Sequence, residues 1–385
     1  MKIIYIIKSF AMKAGVERVM SDKMNYLAAH GYDVVLVTYE QGNHPLAFPL
    51  HQKVVHHSLD ARFFTLSRYP IWKRPYYWHK MRHRLKCGLQ EVVDNEKPDV
   101  MITTTYSMKV LDIILGVNTS AHRLIESHIA CYTVRKAYDY RQHAFLFQLA
   151  RLYDKYVFRK IRSFDNLIVL TTADAKDWKE YIDNVDIIPN PVTTYPDVVL
   201  PHDGNGRRII AVGRLHEQKG FDRLIDAFAM ISDRCKGWRV DIFGDGSDKQ
   251  MLLDRIHDKN LDAVIKIWPP TNQIYEEYQT SDFLVLSSRY EGFALVLGES
   301  ASCGIPSVAF RCKYGPEEVI TDGENGLLVT DGDVNELAEK ILWMINHREE
   351  RLRMGVKARE MAKKYQIDSV MKRWEILFNS FDKNH

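Results

Sequence analysis

Residues 209–220 read IIAVGRLHEQKG, and FDRLIDAFAMI follows at 221–231. The four apolar residues predict a short strand ending at Gly213, and the next run carries apolar residues at the period of an amphipathic helix. Strand, loop and helix in that order form the repeating unit of a parallel sheet covered by helices. Gly213 and Gly220 allow a sharp loop and close backbone approach. Between them Arg214 and Lys219 place two cations beyond the strand's carboxyl end. That arrangement suits a diphosphate, with arginine as a fork and lysine as a point charge. The plainer alternative is a glycine-bounded loop with solvated charges.

The same rhythm extends both ways from this stretch. Towards the C-terminus, strands are predicted at Arg239–Phe243, Val264–Trp268, Phe283–Ser287, Pro306–Phe310 and Gly326–Val329. Towards the N-terminus, an earlier series comprises Lys2–Lys8, Asp33–Tyr39, Val54–Leu59, Asp99–Thr104, Arg123–Ser127, Asn166–Thr171 and Val185–Pro189. Between the two series, PVTTYPDVVLPHDGNGRR is rich in Pro, Asp and Gly and predicts no regular element. The expected organisation is therefore α/β, with two doubly wound Rossmann-like domains. The first covers 1–190, a linker 191–208, the second 209–365, and a final helix at 366–385 crosses back to the first. Such sheets take ligands at the carboxyl ends of their strands, so a site between two facing domains is expected.

A second chemical signal follows the strand FLVLSS, where residues 289–301 read RYEGFALVLGESA. Glu291 falls on the loop and Glu299 one to two turns into the next helix. The free N–H groups of that helix, from Phe293 through Ala294 and Leu295 to Val296, form a phosphate seat. Glu299 can accept two hydrogen bonds from a vicinal diol and is the candidate for holding ribose. The alternative reading of both glutamates is as caps.

Composition bounds the remaining classes. The 385 residues carry a formal net charge of +3, with 46% hydrophobic and 27% charged residues, an ordinary globular balance that argues against a dedicated nucleic-acid binder. The five cysteines are scattered, with no CxxC pair or Cys/His cluster, so neither a disulfide framework nor a zinc site is expected. The opening MKIIYIIKSF is too short for a signal peptide's apolar core or a membrane span. A cytoplasmic protein is expected, placed peripherally on the inner face of the cell membrane.

GRLHEQKG at 213–220 and EGFALVLGESASCGIPSV at 291–308 together resemble the GRLxxxKG loop and E-x7-E segment of the family-4 retaining glycosyltransferases of the GT-B fold. AGVER at 14–18, IPNP at 188–191, GPE at 315–317 and DGENGLLV at 322–329 resemble further family segments, so the likeness covers most of the chain. It implies retaining transfer from a nucleotide sugar, a UDP-sugar, to a hydroxyl acceptor, with no metal and no cofactor. It implies that Arg214 and Lys219 bind the diphosphate, Glu299 the ribose and Glu291 the transferred sugar. Gly15 would admit the phosphates to a backbone N–H. His128, in Glu126-Ser127-His128, falls where the family often has a histidine at the sugar; its alternative is a structural role. FGDG at 243–246, with Gly244, resembles the loop beside the base and sugar. Four departures bear on base and sugar identity: Ala14 and Ala294 stand where Gly is common, Gly298-Glu299-Ser300-Ala301 replaces the usual xEAxA, and Trp268-Pro269-Pro270 stands where a Gly is common near the base. A phosphorylase, an epimerase and a non-catalytic nucleotide-sugar-binding scaffold are the other classes such an architecture serves. A phosphate-dependence assay and donor turnover discriminate them.

Acceptor features are expected in the first domain. Residues 61–90 hold Arg62, Arg68, Lys73, Arg74, Lys80, Arg82, Arg84 and Lys86 without one Asp or Glu, interleaved with Trp72, Tyr76, Tyr77 and Trp78. That mixture suits an anionic membrane surface or a polyprenyl-diphosphate-linked acceptor, with a solvated helix face as the alternative. RLYDKYVFRKIR at 151–162 is a second basic stretch.

Overall fold

The computed structural model describes residues 1–12, 14–135, 144–197 and 204–382. The chain divides into two compact units, Met1–Pro189 with the chain from Val370 onward, and Asn190–Ser369. The expected linker 191–208 runs through 198–203, and the expected last helix through 383–385; both stretches lie outside the described residues.

The first unit contains β1 (Lys2–Ile7), α1 (Gly15–Ala29), β2 (Asp33–Thr38), β3 (Val55–Ser58), α2 (Arg74–Glu96), β4 (Val100–Thr104), α3 (Leu111–Leu115), β5 (His122–Glu126), α4 (Cys131–Val134), α5 (Ala144–Ile161), β6 (Asn166–Val169), α6 (Thr172–Lys179) and β7 (Val185–Ile187). The second contains β8 (Arg208–Val212), α7 (Phe221–Ile231), β9 (Arg239–Phe243), α8 (Lys249–Asp258), β10 (Ile265–Trp268), α9 (Ile274–Gln279), β11 (Phe283–Leu286), α10 (Leu295–Ser302), β12 (Ser307–Phe310), α11 (Pro316–Val319), β13 (Gly326–Val329), α12 (Val334–Asn346) and α13 (Arg348–Ala362). The last helix, α14 (Ile367–Asp382), returns to the first unit from Val370.

Both sheets are parallel, in the orders β3-β2-β1-β4-β5-β6-β7 and β10-β9-β8-β11-β12-β13. Strands such as KIIYII and DVVLVT are buried on both faces, which is why they read as unbroken β-branched runs rather than alternating ones. In the first unit, Ile4 and Ile6 join the core beneath α2, α3, α5 and α6. Tyr5, between them, points to the opposite face, where α1 and α14 lie. In the second, Phe221, Leu224, Ile225, Phe228 and Ile231 form the stripe by which α7 packs on β8, β9 and β11.

Strand ends shift where another bond competes. The predicted strand to Thr171 stops at Val169 because the Thr171 hydroxyl caps α6, accepting from Asp174 N at 3.1 Å. The strand predicted to Pro189 stops at Ile187, since proline has no N–H for the ladder. Each sheet reverses direction once, between β1 and β4 and between β8 and β11. Loops diverge at such a reversal and leave room for a ligand.

Candidate functional site

The loops after β8 and β11 flank the reversal of the second sheet and are tied to one another. Arg289 N donates to Gln218 O at 2.8 Å, and Ser287 Oγ donates to Lys219 O at 3.1 Å. The Arg289 guanidinium grips Asp222 with two bonds of 2.9 and 2.7 Å. Gly220 has φ +61°, and a Cβ there would stand 2.1 Å from the Ser287 carbonyl oxygen, so this crossing requires glycine. The loop after β9 joins from the other side: Gly213 N donates to Phe243 O at 3.0 Å, and a Cβ on Gly244 would meet Gly213 O at 2.0 Å.

Within this frame Lys219 and Glu291 meet each other, a pairing that their separately expected roles did not include. Lys219 Nζ donates to Glu291 Oε1 at 2.7 Å, and Ser288 Oγ donates to the same oxygen at 2.6 Å. The two side chains are 16% and 6% exposed. Arg214 is exposed on the same loop. Glu299 stands one turn into α10, and its Oε2 accepts from the Tyr278 hydroxyl at 3.0 Å. Burial, reinforced by Glu299, pushes the Tyr278 phenol well above its ordinary range, so it remains a donor to that carboxylate. Phe293 is buried edge-on against Tyr365 at 5.3 Å, and Leu295 opens α10. Ala294, the N-cap, has φ 58° and ψ 61°, a left-handed conformation that penalises a Cβ and explains why glycine is the commoner choice there.

Thus Gly213, Arg214, Lys219, Gly244, Glu291, Phe293, Ala294, Leu295 and Glu299 all fall at the carboxyl edge of the second sheet. Gly15 and His128 fall on the first unit, at the start of α1 and just beyond β5. His128 is buried, with Nε2 3.2 Å from Glu126 Oε2. Glu126 Oε2 also accepts from Lys23 Nζ at 2.5 Å. Sequence reading missed Lys23, Tyr278 and Ser288, whose roles arise only from tertiary contacts. Among the described residues no group of His, Cys, Asp or Glu is arranged to hold a metal ion.

The basic segment 61–90 is less free than its composition predicts. Arg62 and Arg84 pair with Asp60 at 2.6 and 3.5 Å, Arg82 pairs with Asp112, and Arg74 Nε donates to Tyr69 O at 3.0 Å. Arg68, Lys73, Lys80 and Lys86 stay exposed, and beside them Ile71, Trp72 and Tyr76 are 77%, 76% and 66% exposed. The face of α5 adds exposed Phe145, Leu146, Leu149 and Leu152. No described helix is long and apolar enough to cross a membrane.

Residues 14–195 match the family described as Glycosyltransferase Family 4, and residues 197–361 the one described as Glycosyl transferases group 1. An uncharacterised glycosyltransferase of Haemophilus influenzae is 27% identical over 97% of this chain and 99% of its own. The amylovoran biosynthesis glycosyltransferase AmsD of Erwinia amylovora is 26% identical over 98% and 99%. Among solved structures, TarM superposes with a TM-score of 0.79 over 98% of both chains at 18% identity. WaaG, a glycosyltransferase of lipopolysaccharide biosynthesis, does so at 0.70 and 15% over 98% of this chain and 99% of its own. The shared architecture is the GT-B fold.

Proposed function

The chain belongs to the family-4, group 1 glycosyltransferases, and on that premise we propose that it moves a sugar from a UDP-sugar to a hydroxyl of a glycan or lipid-linked saccharide, with retention of configuration, in surface-polysaccharide assembly. The observation that carries this reading is the gathering of Arg214, Lys219, Glu291 and Glu299 around the reversal of the second sheet. UDP is bound in the solved complexes of TarM and HepE, and relatives act in amylovoran, poly(ribitol-phosphate) and lipopolysaccharide synthesis.

In this reading the free enzyme neutralises its own donor-site charges. Lys219 and Glu291 hold each other until donor arrives; Lys219 then turns to the diphosphate and Glu291 to the sugar hydroxyls. Arg214 and the N–H groups from Phe293 to Leu295 face the remaining phosphate charge, Glu299 the ribose, and Gly244 the base-side loop. Gly15 admits the phosphates and His128 the transferred sugar. The C1–O bond to phosphate breaks, the acceptor oxygen bonds C1 on the same face, and the departing phosphate oxygen takes the acceptor's proton. Fixed positive charge stabilises the diphosphate as its charge grows, without a metal. The outward aromatic and aliphatic side chains of 71–76 and α5, with Lys73 4.7 Å over the Trp72 ring, support peripheral docking on anionic lipid near a lipid-linked acceptor. Both α2 and α5 run antiparallel to the strands they precede, so their N-terminal ends lie at the sheet's carboxyl edge.

Purified protein incubated with a panel of nucleotide sugars, lipid and soluble acceptors, and EDTA tests the reading. Turnover of a UDP-sugar with the α-anomer retained is expected. Failure to turn over any nucleotide sugar, or activity only after Mg²⁺ or Mn²⁺ is restored, would overturn it.

A further inference from the structure

A lysine in the middle of an amphipathic helix is ordinarily solvated, yet Lys23 of α1 is 1% exposed. Its Nζ lies 2.5 Å from Glu126 Oε2 and 4.1 Å over the ring of Trp374, itself 1% exposed on α14. Glu126 ends β5, and two residues on, His128 brings Nε2 to 3.2 Å from the same carboxylate oxygen. That approach is at ion-pair distance but off hydrogen-bond alignment, and Nδ1 has no hydrogen-bond partner among the described residues; neither has Glu126 Oε1. The cluster is therefore one cation, one anion and one imidazole, sealed together at the carboxyl edge of a parallel sheet, with imidazole capacity left unspent.

Such a pair is a poor stabiliser. Burial pulls the Lys23 ammonium below its ordinary range even with Glu126 beside it. Burial would also push Glu126 up, but Lys23 and then His128 outweigh it and hold the carboxyl at about 2. Apolar side chains of similar size would fill the same space at no electrostatic cost. A sealed ion pair that ends on an imidazole has a use that packing does not supply: it sets which ring nitrogen carries the proton.

We propose that Lys23 and Glu126 are positioning residues for His128. Lys23 keeps Glu126 ionised, the carboxylate draws the imidazole proton to Nε2, and Nδ1, covered in the free protein, is the acceptor a sugar hydroxyl meets once donor binding uncovers it. Trp374 closes the assembly over Lys23. The inference rests on the assignment of His128 to the transferred sugar, but its first readout needs no turnover.

Nitrogen-15 spectra of the imidazoles of the whole protein, assigned by loss of one signal set in His128→Ala, should show His128 protonated at Nε2 and bare at Nδ1 at neutral pH. The opposite tautomer overturns the proposal whatever the reaction proves to be. The paired exchange Lys23→Met with Glu126→Leu removes both charges and keeps the volume. It should leave the melting temperature and UDP affinity unchanged while lowering kcat about tenfold or more. In a His128→Ala background the same exchange should have no further effect, because both act through one group. An undiminished kcat, or a loss as large without His128 as with it, would make the pair structural. Wild-type transfer in His128→Ala alone, with Nε2 protonated, would instead remove the sugar assignment and with it the functional use of the pair.

Discussion

Two lysine–glutamate pairs stand at the carboxyl edges of the two sheets, and they are built in opposite ways. Lys23 and Glu126 sit on a helix and a strand end, each side chain 2% exposed. Lys219 and Glu291 sit on two loops, at 16% and 6% exposure, with Ser288 sharing the carboxylate. The first pair is enclosed by residues that cannot leave without unfolding the unit. The second sits on loops at the sheet's edge, with the Lys219 side chain 16% open to solvent. In the reading proposed above, the same chemical pair serves once as a fixture and once as an exchangeable contact, and the difference in burial is what separates them.

The same substitution made in each pair should break the resemblance. Lys23→Met strands a carboxylate in an apolar shell and should cost about 3–5 kcal/mol of folding free energy, read by urea unfolding. Lys219→Met should cost no more than about 1 kcal/mol of stability but lower kcat about 100-fold. Equal destabilisation by the two would erase the distinction drawn here.

Glu299, on α10 after the same loop as Glu291, extends the comparison to an uncharged partner, the Tyr278 hydroxyl. Glu299→Ala should weaken donor binding by about 1.5–3 kcal/mol in calorimetry, as charge-assisted bonds to ribose are lost. Unchanged affinity would leave Glu299 as no more than the acceptor of the Tyr278 hydroxyl.

Acid separates the pairs by another route. Glu126 titrates at about 2 in the folded protein against an ordinary 4.5. Its folded value is depressed, so its contribution is complete above the ordinary value and is lost as pH falls from there towards 2. Unfolding free energy measured between pH 5 and pH 3 should fall less steeply in the Lys23→Met, Glu126→Leu protein than in wild type. Parallel slopes would mean that Glu126 is not held ionised by its neighbours.

The smallest effect concerns backbone rather than charge. Ala294→Gly relieves a left-handed alanine at the head of α10 and should raise stability by about 1 kcal/mol or less, seen as a modest rise in melting temperature. A lower melting temperature would show that the loop depends on the Ala294 methyl group.

How much of this was legible depends on the distance over which each feature is decided. The strands Arg239–Phe243 and Gly326–Val329 agree with the sequence reading to the residue, because a doubly covered strand announces itself locally. The special backbone at Ala294 was visible as a residue standing where glycine is common. The Lys219–Glu291 pair was not, because it joins loops separated by three strands; each residue was identified but their contact was not. Lys23 was passed over, although it falls between Met20 and Leu27 on the apolar face of its own helix. What covers it, Glu126 and Trp374, comes from distant segments that helix periodicity does not show. The basic segment 61–90 misled in the opposite sense: a window free of Asp and Glu reads as unpaired, yet Asp60, one residue before it, and Asp112, on α3, take three of its arginines.

Trp374 gives the molecule a sense of time. The sheet of the first unit can assemble early in synthesis, but the ring over Lys23 belongs to a helix made after all of the second unit's strands. Until then Tyr32 and His122 also lack the rings of Phe378 and Phe381, which they meet at 6.1 and 4.2 Å. A nascent or truncated chain that stops before residue 370 therefore carries a wet lysine, a carboxylate open to water and an uncovered apolar strip beside a finished sheet. Chaperones and proteases read such surfaces as unfinished. The first unit therefore closes over Lys23 only once α14, made after the whole of the second unit, has come back to it.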